Sequence, residues 1–203
     1  MNLHHKRQFK DIIIYLESQL IPAIFENIKN KIAVVPFICL NACVEVSMFS
    51  DKGDKESQEL YEYYIQIIEN YIIDCKNKLI EEEKSNLIDG FLFHTKNINF
   101  VIYYMQRIFS YLDRFYTIAK AKVSLSKSAM NLYKSIFYEE FKNKIQDEIN
   151  TLEKEEKIAN DELNSKIHRV KEILEEVNLE NPKIVVQKRK IIKWENQIKG
   201  KYY

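Results

Sequence analysis

Residues 100–116 read FVIYYMQRIFSYLDRFY and carry the clearest structural signal in this 203-residue chain. The stretch is apolar almost all round, and the polar positions in and beside it are spaced by three, four or seven residues: Asn99, Gln106, Ser110, Asp113 and Thr117. Such spacings place these residues on one narrow face of a helix. A helix that is apolar on its other sides must be wrapped by other helices. We therefore expect this stretch to form the central rod of an all-α bundle.

The remainder of the chain predicts long helices around that rod. Only three Gly and three Pro occur, and 46% of the residues are hydrophobic, so turn signals are few and a large core can form. Apolar residues recur at helical spacing, and no segment alternates as a strand would. Five helical segments are predicted before residue 153, with a break in the fourth near Gly90: residues 9–28, 36–49, 57–79, 87–116 and 125–152.

Composition changes after Leu152, where the run EKEEK is polar. We expect residues 1–152 to form a first helical repeat and residues 153–203 to begin a second, incomplete repeat. A sixth helix, capped by Asn160, would continue through Val177. A last segment would start at Pro182 and end at Tyr203.

Charge and cysteine content exclude several classes of function. The 31 basic and 30 acidic residues give a net charge of +1, so no one-sided basic surface for nucleic acid is expected. The three cysteines form no CxxC motif, which argues against a disulfide framework or a zinc site and for a reducing compartment, the cytoplasm or the nucleus. No apolar run reaches the ~20 residues that a membrane span needs, and the N-terminus does not resemble a signal peptide.

The sequence offers no catalytic constellation. The four histidines make no HExxH motif and no base–nucleophile set, and the three glycines are too far apart to form a phosphate loop. We therefore expect no enzyme activity, no metal and no cofactor. Asp113 and Arg114 are adjacent in a predicted helix, so they do not face each other and are expected to make structural hydrogen bonds to a neighbouring helix. Cys39 and Cys43 are expected to be buried thiols that behave as small hydrophobes.

The run YLDRFY at residues 111–116 resembles the end of the fourth helix in the first repeat of cullins, which has a similar Tyr-Leu-Asp-Arg-like pattern. Other pieces are similar in order and spacing: Leu60-Tyr61, residues 91–94, the run NLYKSI at residues 131–136, and Trp194-Glu195 followed by the closing KYY. The resemblance covers nearly the whole chain. It implies a five-helix cullin repeat followed by the first two helices of a second repeat.

This resemblance implies a non-catalytic scaffold of a cullin-RING-type E3 ubiquitin ligase. In that family the second and fifth helices of the first repeat bind a substrate adaptor of the BTB fold. The family pattern Leu-Tyr-x-x-x-Tyr falls on residues 40–45, where Asn41 and Glu45 replace both tyrosines, so weaker docking is expected. The implied adaptor surface comprises Phe37, Asn41, Glu45 and Met48 on the second helix with Ser126, Lys127 and Met130 on the fifth.

Two further expectations concern partners. A RING subunit is implied only if a longer chain exists beyond residue 203, because the C-terminal region of cullins binds it. The alternative is a helical-bundle interaction or tethering subunit outside this family and without a ubiquitin role. Such a subunit would self-associate through exposed heptad faces, whereas an adaptor-binding scaffold would be a monomer with an open surface.

Overall fold

The computed structural model describes residues 9–20, 22–24, 36–50, 53–82, 87–154 and 161–178. These residues are almost entirely helical, and none of them lies in a strand. The predicted all-α fold class is therefore confirmed. The predicted cap at Asn160 and the predicted last segment from Pro182 to Tyr203 lie outside the described residues.

Seven α-helices and three π-helical segments follow one another in the described part of the chain. The α-helices are α1 (Phe9–Tyr15), α2 (Pro36–Ser50), α3 (Asp54–Glu82), α4 (Leu87–Ile108), α5 (Leu125–Leu132), α6 (Glu139–Lys154) and α7 (Asp161–Asn178). The π-helical segments are π1 (Leu16–Leu20), π2 (Leu112–Thr117) and π3 (Tyr133–Tyr138). The second to fifth predicted segments are thus present, the fifth as α5, π3 and α6 joined end to end.

Helix α4 passes through Gly90 without interruption, so the predicted break at that residue is wrong. A glycine inside a helix costs about 1 kcal/mol relative to alanine. Ile88 and Phe91 on either side of Gly90 are buried, and their burial offsets this cost. The α-helix ends instead at Ile108, and the chain continues through a turn residue, Phe109, toward π2.

The chain divides into two compact units, of which the first comprises residues 1–66, 100–127 and 186–203. In its described part, α2 packs against α1 and π1. The ring of Tyr64 on α3 stands edge-on to Phe109, with centroids 5.5 Å apart. Leu60, Ile108 and Leu112 are buried in the same unit. The predicted rod thus lies in a core that other helices supply.

The second unit comprises residues 67–99 and 128–185. Its core contains an aromatic cluster in which Phe137 stacks on Phe91 and on Tyr133, with ring centroids 5.6 and 5.7 Å away. The Tyr133 hydroxyl pairs with Thr95 at 3.1 Å. Helix α7 belongs to this unit, since the Tyr138 hydroxyl donates to the Leu174 carbonyl at 3.3 Å. The predicted domain boundary between residues 152 and 153 stays a prediction.

A tight turn after π2 redirects the chain into α5. The Lys122 N–H donates to the Thr117 carbonyl at 2.8 Å, and the Ala121 N–H donates to the Ile118 carbonyl at 3.2 Å. These two bonds form a Schellman motif, in which the residue at the position of Ala121 adopts a left-handed conformation. Its φ is indeed +50°. A residue with a Cβ atom is strained there, and glycine is the usual occupant.

We expect Ala121→Gly to raise the free energy of unfolding by about 0.5–1 kcal/mol, because relief of the left-handed strain exceeds the entropy cost of glycine. Urea denaturation followed by circular dichroism measures the change. The matched control is Ala119→Gly, an exposed helical position two residues earlier. There the same substitution should lower stability, so equal effects at the two positions would contradict the assignment.

Candidate functional site

Helix α2 carries four of the seven predicted adaptor-contact residues. Pro36 occupies its first position, where a missing backbone N–H costs nothing. Among its 15 residues, Glu45 alone is charged, so the helix is unusually apolar for one that has a surface face. Phe37 and Asn41 lie on this helix, but their side chains are outside the described residues.

The described half of α2 presents apolar side chains to solvent. Val44 and Met48, which are four residues apart and therefore neighbours on one helix face, are 47% and 53% exposed. Val46 and Phe49 point into the core and are buried. Exposed apolar side chains that adjoin one another are typical of protein-binding surfaces. Glu45 is partly exposed beside them.

A groove separates this part of α2 from the segment that contains π2. Its volume is about 210 Å³. From α2 it is lined by Cys43, Val44 and Ser47, and from the other side by Ile108, Ser110, Tyr111, Arg114 and Phe115. All eight residues belong to the first unit. We call this feature the α2–π2 groove.

Three exposed side chains of the α2–π2 groove, Val44, Arg114 and Phe115, were not among the predicted contact residues. Phe115 is 57% exposed, although the sequence pattern placed it with the core aromatics. A count of 3.6 residues per turn assumes α-helical bonding, whereas π2 bonds i to i+5 and so rotates its side chains out of that register. The same shift accounts for Thr117, which was assigned to the polar face and is buried.

Cys43 lines the α2–π2 groove from the side of α2. Its thiol donates to the Arg107 carbonyl at 3.5 Å. Burial raises the pKa of Cys43, and the nearby Arg107 charge only partly opposes that effect. Burial likewise raises the pKa of Cys75 to about 11. Thiols that stay protonated near neutral pH react slowly. Cys43 is half-buried rather than buried as predicted, and the side chain of Cys39 lies outside the described residues.

Asp113 has a structural role next to the groove. Its Oδ1 accepts the backbone N–H of Leu125 at 2.8 Å, and the Thr117 hydroxyl donates to the same oxygen at 3.3 Å. The first bond satisfies one of the free N–H groups at the start of α5. The expectation that Asp113 or Arg114 hydrogen-bonds a neighbouring helix is therefore confirmed, with Asp113 in that role.

Two tyrosines of α3 hold the segment between π2 and α5 in place. The Tyr61 hydroxyl donates to the Val123 carbonyl at 3.0 Å, and the Tyr64 hydroxyl donates to the Leu125 carbonyl at 3.3 Å. The Lys122 ammonium lies 5.1 Å from the ring centroid of Tyr61 and 5.2 Å from that of Tyr116, within cation–π range. These contacts fix the segment between π2 and the first residue of α5.

The three predicted contact residues on α5 differ in accessibility. Ser126 is partly exposed and Lys127 is exposed, and both belong to the first unit. Met130 belongs to the second unit and is only 8% exposed, so its side chain offers a partner little surface. None of the three lines the α2–π2 groove.

The described ranges contain neither a metal-binding cluster nor a membrane-spanning helix. No group of three or more His, Cys, Asp or Glu side chains there could hold a metal ion. No described helix is both long enough and apolar enough to cross a bilayer. The exposed side chains that line the α2–π2 groove, Val44, Arg114 and Phe115, are apolar or cationic, which suits noncovalent binding.

Comparison with known proteins gives one match. The family model described as the cullin alpha solenoid domain matches residues 18–189. No curated protein and no solved structure gives a significant match.

We expect Asp113→Ala to lower the free energy of unfolding by about 1–2 kcal/mol, because the Leu125 N–H loses its acceptor. Asp113→Asn is the control, since its side-chain oxygen can still accept that hydrogen bond and the loss should be a few tenths of a kcal/mol. Urea denaturation measures both. Equal losses in the two variants would show that capping is not what Asp113 supplies.

Proposed function

Because the chain belongs to the cullin family, we propose that it is a scaffold subunit of a cullin-RING-type ubiquitin ligase that binds a BTB-fold substrate adaptor. The cullin domain is a scaffold-type domain, and family membership implies protein–protein interaction as its mode of action. The alternative of a helical bundle outside this family is wrong. The ubiquitin role and the adaptor class are the proposal.

The exposed apolar face of α2 is the observation that carries this proposal. Val44 and Met48 leave apolar surface in water on a helix that has a single charged residue. Covering such surface yields roughly 25 cal/mol per Å² buried. A partner that covers this face of α2 buries its apolar area and can also contact the α2–π2 groove beside it. Phe37 and Asn41, on the earlier turns of α2, would extend the contact.

The start of α5 completes the proposed adaptor surface. Ser126 and Lys127 are accessible there, and the Asp113 cap together with the Tyr61 and Tyr64 hydrogen bonds holds this helix end in place. A rigid surface loses little conformational entropy on binding, which favours affinity. In the absence of both family tyrosines, we propose that Met48 is the main anchor, with Glu45 and Lys127 at the polar rim.

The mechanism we propose is that of a spacer. Packed helices would hold a bound adaptor at a fixed distance and angle from the other subunits of the assembly. In this role the chain itself breaks and forms no covalent bond. The described cysteines, half-buried Cys43 and buried Cys75, are free thiols, which agrees with a reducing compartment, and we propose the cytoplasm or the nucleus.

The test is binding of the purified chain to a panel of purified BTB-domain proteins by biolayer interferometry. We expect at least one to bind and Met48→Asp to weaken that binding by about tenfold or more, since it places an unpaired carboxylate in an apolar contact. Ile80→Asp, the same change at an exposed apolar position of α3, is the matched control and should bind as wild type does.

Circular dichroism verifies that both variants retain the helical fold. The proposal fails if no BTB-domain protein binds, or if Met48→Asp and Ile80→Asp both bind as tightly as the wild type does.

A further inference from the structure

Of the three methionine side chains that the structure describes, that of Met48 alone is largely open to solvent. Met48 on α2 is 53% exposed, whereas Met105 on α4 and Met130 on α5 are 1% and 8% exposed. The fourth methionine, Met1, lies outside the described residues. An oxidant dissolved in water therefore reaches the thioether sulfur of Met48 far more readily than those of Met105 and Met130.

Met48 stands on an apolar part of the α2 surface. Val44, one turn earlier on the same face, is 47% exposed, and Glu45 is the one charged residue of the helix. A thioether is apolar and polarizable, which suits contact with another apolar surface. A sulfoxide is polar instead. Oxidation of this one sulfur atom therefore replaces apolar contact surface by polar surface.

We propose that Met48 is a site of reversible oxidation, at which a hydroperoxide converts the thioether into methionine sulfoxide. The sulfur atom attacks one oxygen of the peroxide, the O–O bond breaks and an S–O bond forms. The sulfur gives two electrons to the peroxide. The proton on the transferred oxygen passes to the leaving oxygen, which departs as water or as an alcohol. Methionine sulfoxide reductases reverse the change, so the modification can act as a switch.

The consequence of this oxidation for binding rests on the proposed function, in which Met48 is the main anchor of the adaptor. A sulfoxide enclosed in an apolar contact loses its hydrogen bonds to water, and burial of a polar group without such bonds is unfavourable. The chain with oxidised Met48 should therefore bind its adaptor about tenfold or more weakly than the reduced chain does.

The two described cysteines are less suited to this role. Burial raises the pKa of both thiols, Cys43 and Cys75. Little thiolate, the form that peroxide oxidises, is therefore present near neutral pH. A thioether has no proton to lose, so the reactivity of Met48 depends on its exposure and not on such a titration.

The first test measures the rate of oxidation at each described methionine. The purified chain is incubated with hydrogen peroxide, and peptide mapping by mass spectrometry follows the gain of oxygen. In the folded chain Met48 should be oxidised about tenfold or more faster than Met105 and Met130, because their burial keeps peroxide away. In urea the three rates should converge, which shows that burial and not the local sequence causes the difference.

The second test measures affinity for a BTB-domain protein that binds the untreated chain. Catalase removes the peroxide before this partner is added. Oxidation should weaken binding by the wild type about tenfold or more, and methionine sulfoxide reductases should restore it. Met48→Leu carries an apolar side chain of similar size that peroxide does not oxidise, so its affinity should be the same before and after treatment. Met105→Leu is the matched control and should lose affinity on treatment as the wild type does.

Three results would overturn the inference: equal oxidation rates of the three methionines in the folded chain, unchanged wild-type affinity after complete oxidation of Met48, or a loss of affinity that Met48→Leu shares, since another residue would then be the target. The two proposals can fail separately. If no BTB-domain protein binds, the proposed function falls, and the oxidation rates alone decide whether Met48 is the modified site. If Met48→Asp weakens adaptor binding but oxidation does not, only this inference falls.

Discussion

Burial of the apolar face that runs from Val101 to Tyr116 is the interaction on which the first unit depends. Each Leu-, Ile- or Phe-sized side chain withdrawn from water contributes roughly 1.5–3 kcal/mol. Ile108, Phe109 and Leu112 are essentially inaccessible, and Tyr64 of α3 stands edge-on to Phe109. These side chains follow one another closely, so the helix end and π2 form one continuous packed surface. Helix α2 and the start of α5, which carry the exposed residues of the proposed adaptor surface, belong to the same unit as this packed surface.

Hydrogen bonds fix the segment between π2 and α5, and so fix the position of the exposed residues at the start of α5. Asp113 caps α5, two α3 tyrosines donate to carbonyls of the junction, and Lys122 lies within range of two aromatic rings. Ala121 adopts a left-handed conformation that a Cβ atom disfavours. The surrounding bonds impose this conformation, since strain of that kind persists only where the neighbouring structure dictates it. Tyr61, Tyr64 and Lys122 thus have specific structural roles at this point of the chain.

Helix periodicity predicted the described helices well, because the buried face of each helix must carry apolar side chains at helical spacing. The boundaries of α2 and the start of α5 agree with the pattern to within a residue. The predicted helix break at Gly90 was wrong, because helix propensity is a weak preference and the burial of adjacent Ile88 and Phe91 overrides it. The candidate site was less accessible to prediction. Met48 emerged as an exposed residue on α2, but the pattern could not show that Met130 turns inward or that Phe115 turns outward.

The sequence by itself determined the all-α class, the order of the helices and the family, because each follows from apolar spacing and from motifs such as YLDRFY that are local in the chain. Only the tertiary structure decided which side chains meet across the α2–π2 groove. The physical reason is that a π-helical segment changes the angular register of every residue in it, and that the partner of Asp113 lies twelve residues away on another helix. Neither fact is encoded in spacing alone.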